Sequence, residues 1–546
     1  MGYPNDSFLD DEEARRSCES AQPPSYVIPR TGDDSDELII KCESPSGLIR
    51  SSVRSRQHQT VLAWYQRGRK AFYLLCMTFV VADLCTRTDL ARFEQWNFEP
   101  LPANAHARAL KLLSKSPIID GHIDLPILMR EYYSNQLQDV DMTKEGGIKG
   151  HVDLPRLRKG KVGGFFWSTY VGCPEDAGYP IDNHGNFTTP TFKVRDTLEQ
   201  IDVAQLLINK YSDVSSQALK MHNSLLDLAL NRLLPPILKD FELTLTSKAW
   251  RKAMKKGRIG GMLGVEGGHQ LGSSLSSLRA FYELGARYVT LTHTCHNALA
   301  DSCGMQGTPV EPRWNGLSKF GKKAIREMNR LGMMVDLSHT SPATASQALS
   351  LSQSPVIFSH SNARGVHSVV RNVPDTILRR IGKLSFPNRR FDLTQDGEGG
   401  QGRGNETNEV DLPIPGGDVL IMLNFSPAFI SETSDGKGPR ASIKLLADHA
   451  DYIGRLAGRS HVGIGSDFDG IVSVPIDLPD VSYYPDLLAE LIERGWSDNE
   501  IRGLASENLL RVLEGVERVK HQMRHMQPEN AIFEGRNDLR GTGRRS

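Results

Sequence analysis

The chain has 546 residues, with 65 basic against 65 acidic side chains and 39% hydrophobic residues. Its charge balance gives no support to nucleic-acid binding, which usually leaves a basic footprint, and its length suits one large domain with appendages. The seven cysteines, Cys18, Cys42, Cys76, Cys85, Cys173, Cys295 and Cys303, form no C-x-x-C pair, so a structural cysteine–zinc site is not expected.

Residues 1–60 are rich in Ser, Asp, Glu, Arg and Pro and lack sustained periodicity, which predicts a disordered tail. Within residues 61–85, Arg67-Gly68-Arg69-Lys70 precedes an apolar run from Ala71 to Ala82. A basic flank before such a run reads as a signal-anchor with its basic side cytoplasmic. Asp83 ends the run short of the roughly 17–25 residues a spanning helix needs, so an amphipathic or core helix is the competing reading.

From about residue 105 the pattern alternates between short apolar runs and helical periods. Candidate strands are 117–122, 163–168, 260–265, 287–292, 333–338, 355–359, 418–424 and 461–466, with helical patterns such as Leu278–Leu284 and Lys319–Leu331 between them. Eight such strands predict an α/β fold, a closed parallel (β/α)8 barrel over 105–520. An open doubly wound sheet would usually carry a Gly-rich phosphate turn after its first strand. That place holds Gly121-His122-Ile123-Asp124 instead. Residues 210–240 read as an extra helical excursion, 384–416 as a flexible Gly-rich insertion, and 521–546 as a charged tail without a lipid-anchor signal.

The chemistry gathers at the ends of these strands, which in a barrel face one pocket. His122 and Asp124 pair an imidazole with a carboxylate, both normal zinc ligands; a capped strand-end turn is the plainer alternative. Glu266, in Gly264-Val265-Glu266-Gly267-Gly268, offers two oxygens able to bridge two cations, or is a loop residue. His339 and His360 each end a buried strand as Ser-His, a repetition that suits a second metal. His293 is either a ligand or a donor to a substrate oxygen. With His122, Asp124 and Glu266 as one set and Glu266, His339 and His360 as the other, each metal has three protein ligands and room for a shared water. Such a pair activates the water and polarises a carbonyl. Asp467 ends the last strand as a candidate proton acceptor, with Asp469 its rival. Arg371 suits a substrate carboxylate, or a surface ion pair.

These residues resemble the motifs of the membrane (renal-type) dipeptidases, zinc peptidases of the amidohydrolase-like barrel group, over roughly residues 108–520. The motifs are Ile119-Asp120-Gly121-His122-x-Asp124-Leu125-Pro126, Gly163-Gly164-x-Phe166-Trp167-Ser168, Glu266-Gly267-Gly268-His269, Thr290-Leu291-Thr292-His293, Asp336-Leu337-Ser338-His339, Phe358-Ser359-His360-Ser361, Arg371-Asn372-Val373-Pro374 and Gly465-x-Asp467-Phe468-Asp469-Gly470. The resemblance implies two Zn2+ per chain with Glu266 bridging. It implies His293 as a binder of the substrate or intermediate, Arg371 on the substrate C-terminal carboxylate and Asp467 in proton transfer. The implied substrates are dipeptides, including those with a D- or dehydro-residue in second place, and homodimers are common in the family.

The resemblance also implies a disulfide between Cys173 and Cys295, while the places of a second family disulfide hold His367 and Glu432. Asn186 and Asn405 head glycosylation sequons. Asn424 heads another, but Pro427 follows it and a strand is expected there, so it is read as unmodified. The disulfide and sequons favour a secretory route, leaving the barrel either membrane-anchored on the luminal or extracellular side or secreted. The long N-terminal segment departs from the family pattern. So does the loop Asn424–Phe429, which lacks the Tyr of animal members and leaves substrate preference open. A related amidohydrolase acting on a cyclic amide or specialised-metabolism peptide is the alternative enzyme. An idle surface receptor is the non-enzymatic one, though binding alone would not require the whole site.

Overall fold

The computed structural model describes residues 101–173, 192–212, 240–304, 310–387, 411–432 and 438–534. The N-terminal tail, the 61–85 segment, Asn186, Asn405, and most of the 210–240 excursion and of the 384–416 insertion lie outside the described residues. Among the described residues no helix is long and apolar enough to cross a membrane.

Among the described residues nine parallel strands form one sheet: β1 Ile118–Ile123, β2 Val162–Tyr170, β3 Phe241–Leu243, β4 Ile259–Glu266, β5 Ala286–Thr290, β6 Met334–Asp336, β7 Val356–Phe358, β8 Val419–Leu423 and β9 Val462–Ile464. Their order is β2-β1-β9-β8-β7-β6-β5-β4-β3, and a β2–β4 pairing closes the ring. The result is the expected (β/α)8 barrel of eight strands, with β3 added beside the first residues of β4. All eight expected strands are present. β3 has three residues, too few to show a period in sequence. The sixth strand is shorter than its apolar run, ending at Asp336, and His339 beyond it adopts φ 61°.

Parallel strands buried on both faces read as continuous apolar runs, and here the alternation sorts them into two layers. Ile119, Phe166, Met262, Tyr288, Met334, Ile357, Leu420 and Met422 fill the barrel interior. Leu509, Leu510, Leu513 and Val516 of the helix Asn508–Met523 join them from the N-terminal end of the strands. The intervening residues, such as Ile118, Phe165, Val335 and Ile421, pack outward against the surrounding helices. One end of the barrel is thus sealed by apolar packing, and polar chemistry is confined to the other.

Two outer features tie the chain down. The tail read as merely charged returns to the barrel, where Phe533 packs on Phe320 with ring centroids 5.7 Å apart and the Glu529 N–H donates to Glu327 Oε2 at 3.0 Å. Cys173 and Cys295 form a disulfide across 122 residues, joining the segment after β2 to that after β5. A cross-link spanning so long a loop restricts the unfolded chain strongly. Replacing both cysteines by Ser is therefore expected to cost about 2–5 kcal/mol, read as a lower denaturant midpoint; an unchanged midpoint would assign the cross-link no stabilising part.

Candidate active site

Every strand-end residue singled out by sequence faces one cavity of about 640 Å3, lined by Asp124, Glu266, His293, His339, Arg371 and Asp467 among others, or stands against those residues. Backbone pairing sets their positions. Asp120 Oδ1 accepts the N–H groups of His122 at 2.8 Å and Ser466 at 3.0 Å, tying the ends of β1 and β9 together. The Asp467 N–H donates to the His122 carbonyl at 3.0 Å, which brings the last strand end beside the first.

The Glu266 carboxylate stands at the centre. Its Oε2 is 3.4 Å from His122 Nε2, itself 3.3 Å from Asp124 Oδ2. Its Oε1 is 3.2 Å from both His339 Nε2 and His360 Nε2, which are 3.1 Å from each other. The two oxygens thus face different imidazoles, although the groups adjoin: His122 also lies against His360, ring centroids 3.8 Å apart, and His122, His360 and Asp467 form a further candidate cation group beside Glu266, His293 and His339. His293 sits at the margin, its Nε2 3.9 Å from Glu266 Oε1. His122 Nε2 and Asp124 Oδ1 are buried without a hydrogen-bond partner. Buried orphan donor atoms of nitrogen and oxygen type, facing a shared carboxylate, fit divalent cations.

The electrostatics agree with that fit. Burial, aided by Arg371 and neighbouring imidazoles, holds His339 and His360 well below the usual histidine range, so both are neutral with lone pairs to offer. Burial does the same to His293. At His122 burial also acts downward, but the charges of Asp124 and Glu266 outweigh it and raise the imidazole. Burial and the Asp124 charge push Asp467 up to about 7. Carboxylates crowded together in this way mark a place for positive charge.

Contacts place the residues whose roles the sequence left open. Asp469 turns from the cavity to accept from the His151 backbone at 2.7 Å and to meet its ring at 2.9 Å, whereas Asp467 lines the cavity. Arg371 is buried, not a surface ion pair. Its Nη1 donates to Ser361 Oγ at 3.1 Å, its guanidinium lies 5.4 Å over the Phe429 ring, and its Nε and Nη2 have no partner. Asn424 is fully buried and donates to Asp467 Oδ2 at 2.8 Å, in keeping with an unmodified sequon. His367 and Glu432 instead use their carbonyl and carboxylate to accept from Asn372 and the Ala441 backbone.

Three neighbours of the site were not anticipated: Asn424, Tyr170, whose ring is 4.7 Å from that of His293, and Tyr288, whose hydroxyl is 2.8 Å from His122 Nδ1. Asn424 follows β8 directly and could have been read as a strand-end residue. Tyr170 ends β2, two residues beyond the run read for that strand, whereas Tyr288 lies within β5 and carries no comparable signal.

A parallel barrel with histidines and carboxylates converging at its strand ends is the architecture of a metal-dependent hydrolase. The membrane dipeptidase model, peptidase family M19, matches residues 106–227, 217–385 and 412–527. A dipeptidase of Aspergillus oryzae, aclJ, is 35% identical over 461 residues, 84% of this chain and 92% of that protein. The chain belongs to the membrane dipeptidase family and is, as its members are, a metallo-dipeptidase. Solved structures share the fold. A metallo peptidase from Rhodobacter sphaeroides, liganded with a phosphinate mimic of L-Ala-D-Ala, superposes with a TM-score of 0.51 at 23% identity, over 73% of this chain and 99% of that one. The probable dipeptidase PvdM of Pseudomonas aeruginosa does so with a TM-score of 0.55 at 21% identity, over 77% and 100%.

Proposed function

We propose that the protein hydrolyses dipeptides, including those with a D- or dehydro-residue in second place, with two zinc ions. His122, Asp124 and Glu266 would hold one ion, and Glu266, His339 and His360 the other. The observation that carries this reading is the division of the Glu266 oxygens between two ligand clusters at 3.2–3.4 Å, beside a buried arginine with two unused donors. When bound, the ions supply Lewis acidity, acidifying a water and polarising the scissile carbonyl.

The chain's own residues do the rest. Arg371 Nε and Nη2 take the substrate C-terminal carboxylate as a bidentate pair, with the Phe429 ring beneath the guanidinium. Neutral His293 donates a hydrogen bond where charge develops on the carbonyl oxygen. Asp467, steadied on one oxygen by Asn424, accepts the water's proton and delivers it to the leaving amine. The Cys173–Cys295 cross-link supports a secretory route for the barrel.

The test is hydrolysis of L-Ala-D-Ala by the purified protein with zinc and then with a chelator. Zinc-dependent cleavage is expected, and a folded, zinc-loaded protein that leaves the peptide intact would sink the reading. Arg371→Met removes the charge-assisted pair, worth about 1.5–3 kcal/mol, so KM should rise roughly 10- to 100-fold with a smaller change in kcat. Equal KM values in the variant and parent would move the carboxylate contact elsewhere.

A further inference from the structure

Three imidazole Nε2 atoms lie within 3.4 Å of the Glu266 carboxylate, inside the more distant His293, and an Nε2 lone pair requires the ring proton on Nδ1. What each Nδ1 touches therefore decides how far each ligand is prepared. His122 Nδ1 meets the fully buried Tyr288 hydroxyl at 2.8 Å. His360 Nδ1 meets Ser359 Oγ at 2.7 Å. Ser359 Oγ gives its single proton to Asp336 Oδ2 at 2.5 Å, so its oxygen can only accept from His360. Asp336 is itself held by the N–H groups of Ser338 at 3.1 Å and Ser359 at 2.8 Å, and by Thr290 Oγ1 at 2.5 Å. His339 differs: its Nδ1 is buried with no partner.

The fold makes room for one of these contacts at a visible cost. A Cβ on Gly264 of β4 would stand 2.0 Å from Cζ of the Tyr288 ring. Only glycine there lets the ring lie in the barrel interior with its hydroxyl against His122.

We propose that Tyr288 and the Asp336–Ser359 pair are positioning residues, the first holding the His122 ring through its Nδ1 and the second fixing the His360 proton on Nδ1, while His339 remains the adjustable ligand of the second position. The inference rests on the two-metal reading above. Both sets contain Glu266, and His122 is the only other imidazole of the first, so the first position is prepared throughout and the second only in part. Filling is then stepwise. The first ion binds at His122, Asp124 and Glu266, and the second binds more weakly.

The test is a chelator-competition titration of the full metal-free chain with Zn2+, with metal content by mass spectrometry and with Co2+ absorption reporting coordination at each step. Two steps of unequal affinity are expected. Loss of such outer contacts typically lowers metal affinity 10- to 100-fold. Tyr288→Phe, which removes only an oxygen, should weaken the tighter step by about that factor, and Ser359→Ala the weaker step. Thermal melts of the metal-free variants separate positioning from folding. Variants that bind both ions as the parent does overturn the inference, whether or not their melting temperature falls. Should one variant fail to fold, the other still decides its own step. A parent chain that takes up no divalent ion refutes the two-metal reading itself, and this inference with it. Two ions bound with equal affinity refute only the stepwise order.

Discussion

Glu266→Gln is expected to abolish stable binding at both cation positions and to lower kcat/KM by at least about 10³-fold, since Lewis-acid assistance is worth several kcal/mol. The reason is geometric. One carboxylate sends Oε2 to His122 at 3.4 Å and Oε1 to His339 and His360 at 3.2 Å, so no single-site loss is available. The amide of glutamine is neutral and presents N–H donors on one side, which would meet imidazole nitrogens that must keep their lone pairs free. Metal content after dialysis and the rate on L-Ala-D-Ala provide the check. A variant with two bound ions and parental turnover would remove Glu266 from the shared position.

Asp467→Asn is expected to behave differently, retaining its ions while kcat falls by about 10²–10⁴-fold, the usual contribution of a positioned general base. Asp467 Oδ1 is 4.0 Å from His122 Nε2, outside the tighter contacts of the ligand clusters, and Asn424 holds its other oxygen. The sign of the pH dependence follows. A base acts when ionised, so activity falls as pH drops through the Asp467 pKa. Burial and the Asp124 charge raise that carboxyl to about 7. A cation on Asp124 offsets the second of these causes, so the acid limb of the loaded protein lies below that value. The variant should lack this limb altogether. A variant that keeps both the limb and the turnover would assign the proton to another group.

The barrel was legible because its determinants are local. Each strand is a short apolar run buried on both faces, and each run ends at a polar residue that the topology turns toward the cavity. His122, Glu266 and His360 could be placed this way because strand ends of a parallel barrel share one face. The proposed pairing of ligands into two sets needed one further idea, that a carboxylate can be shared. β3 escaped because three residues carry no period. The docking of Phe533 escaped because the tail's composition is charged, and a single aromatic among charges gives no signal until Phe320 lies opposite.

Fold class could be read from the chain alone, and so could the candidate ligands with Glu266 proposed between them, because these depend on residue type at the end of an identifiable element. Packing is what separates Asp467 from Asp469: both stand in one turn, and they differ by which side chain His151 engages and which lines the cavity. The same is true of Arg371, whose buried, unpartnered donors depend on the loops around it, and of Tyr288, whose role exists only because Gly264 leaves space for its ring. Chain order says which groups are near in sequence. Which atom of each group is left unsatisfied, and therefore available for chemistry, is a property of the packed whole.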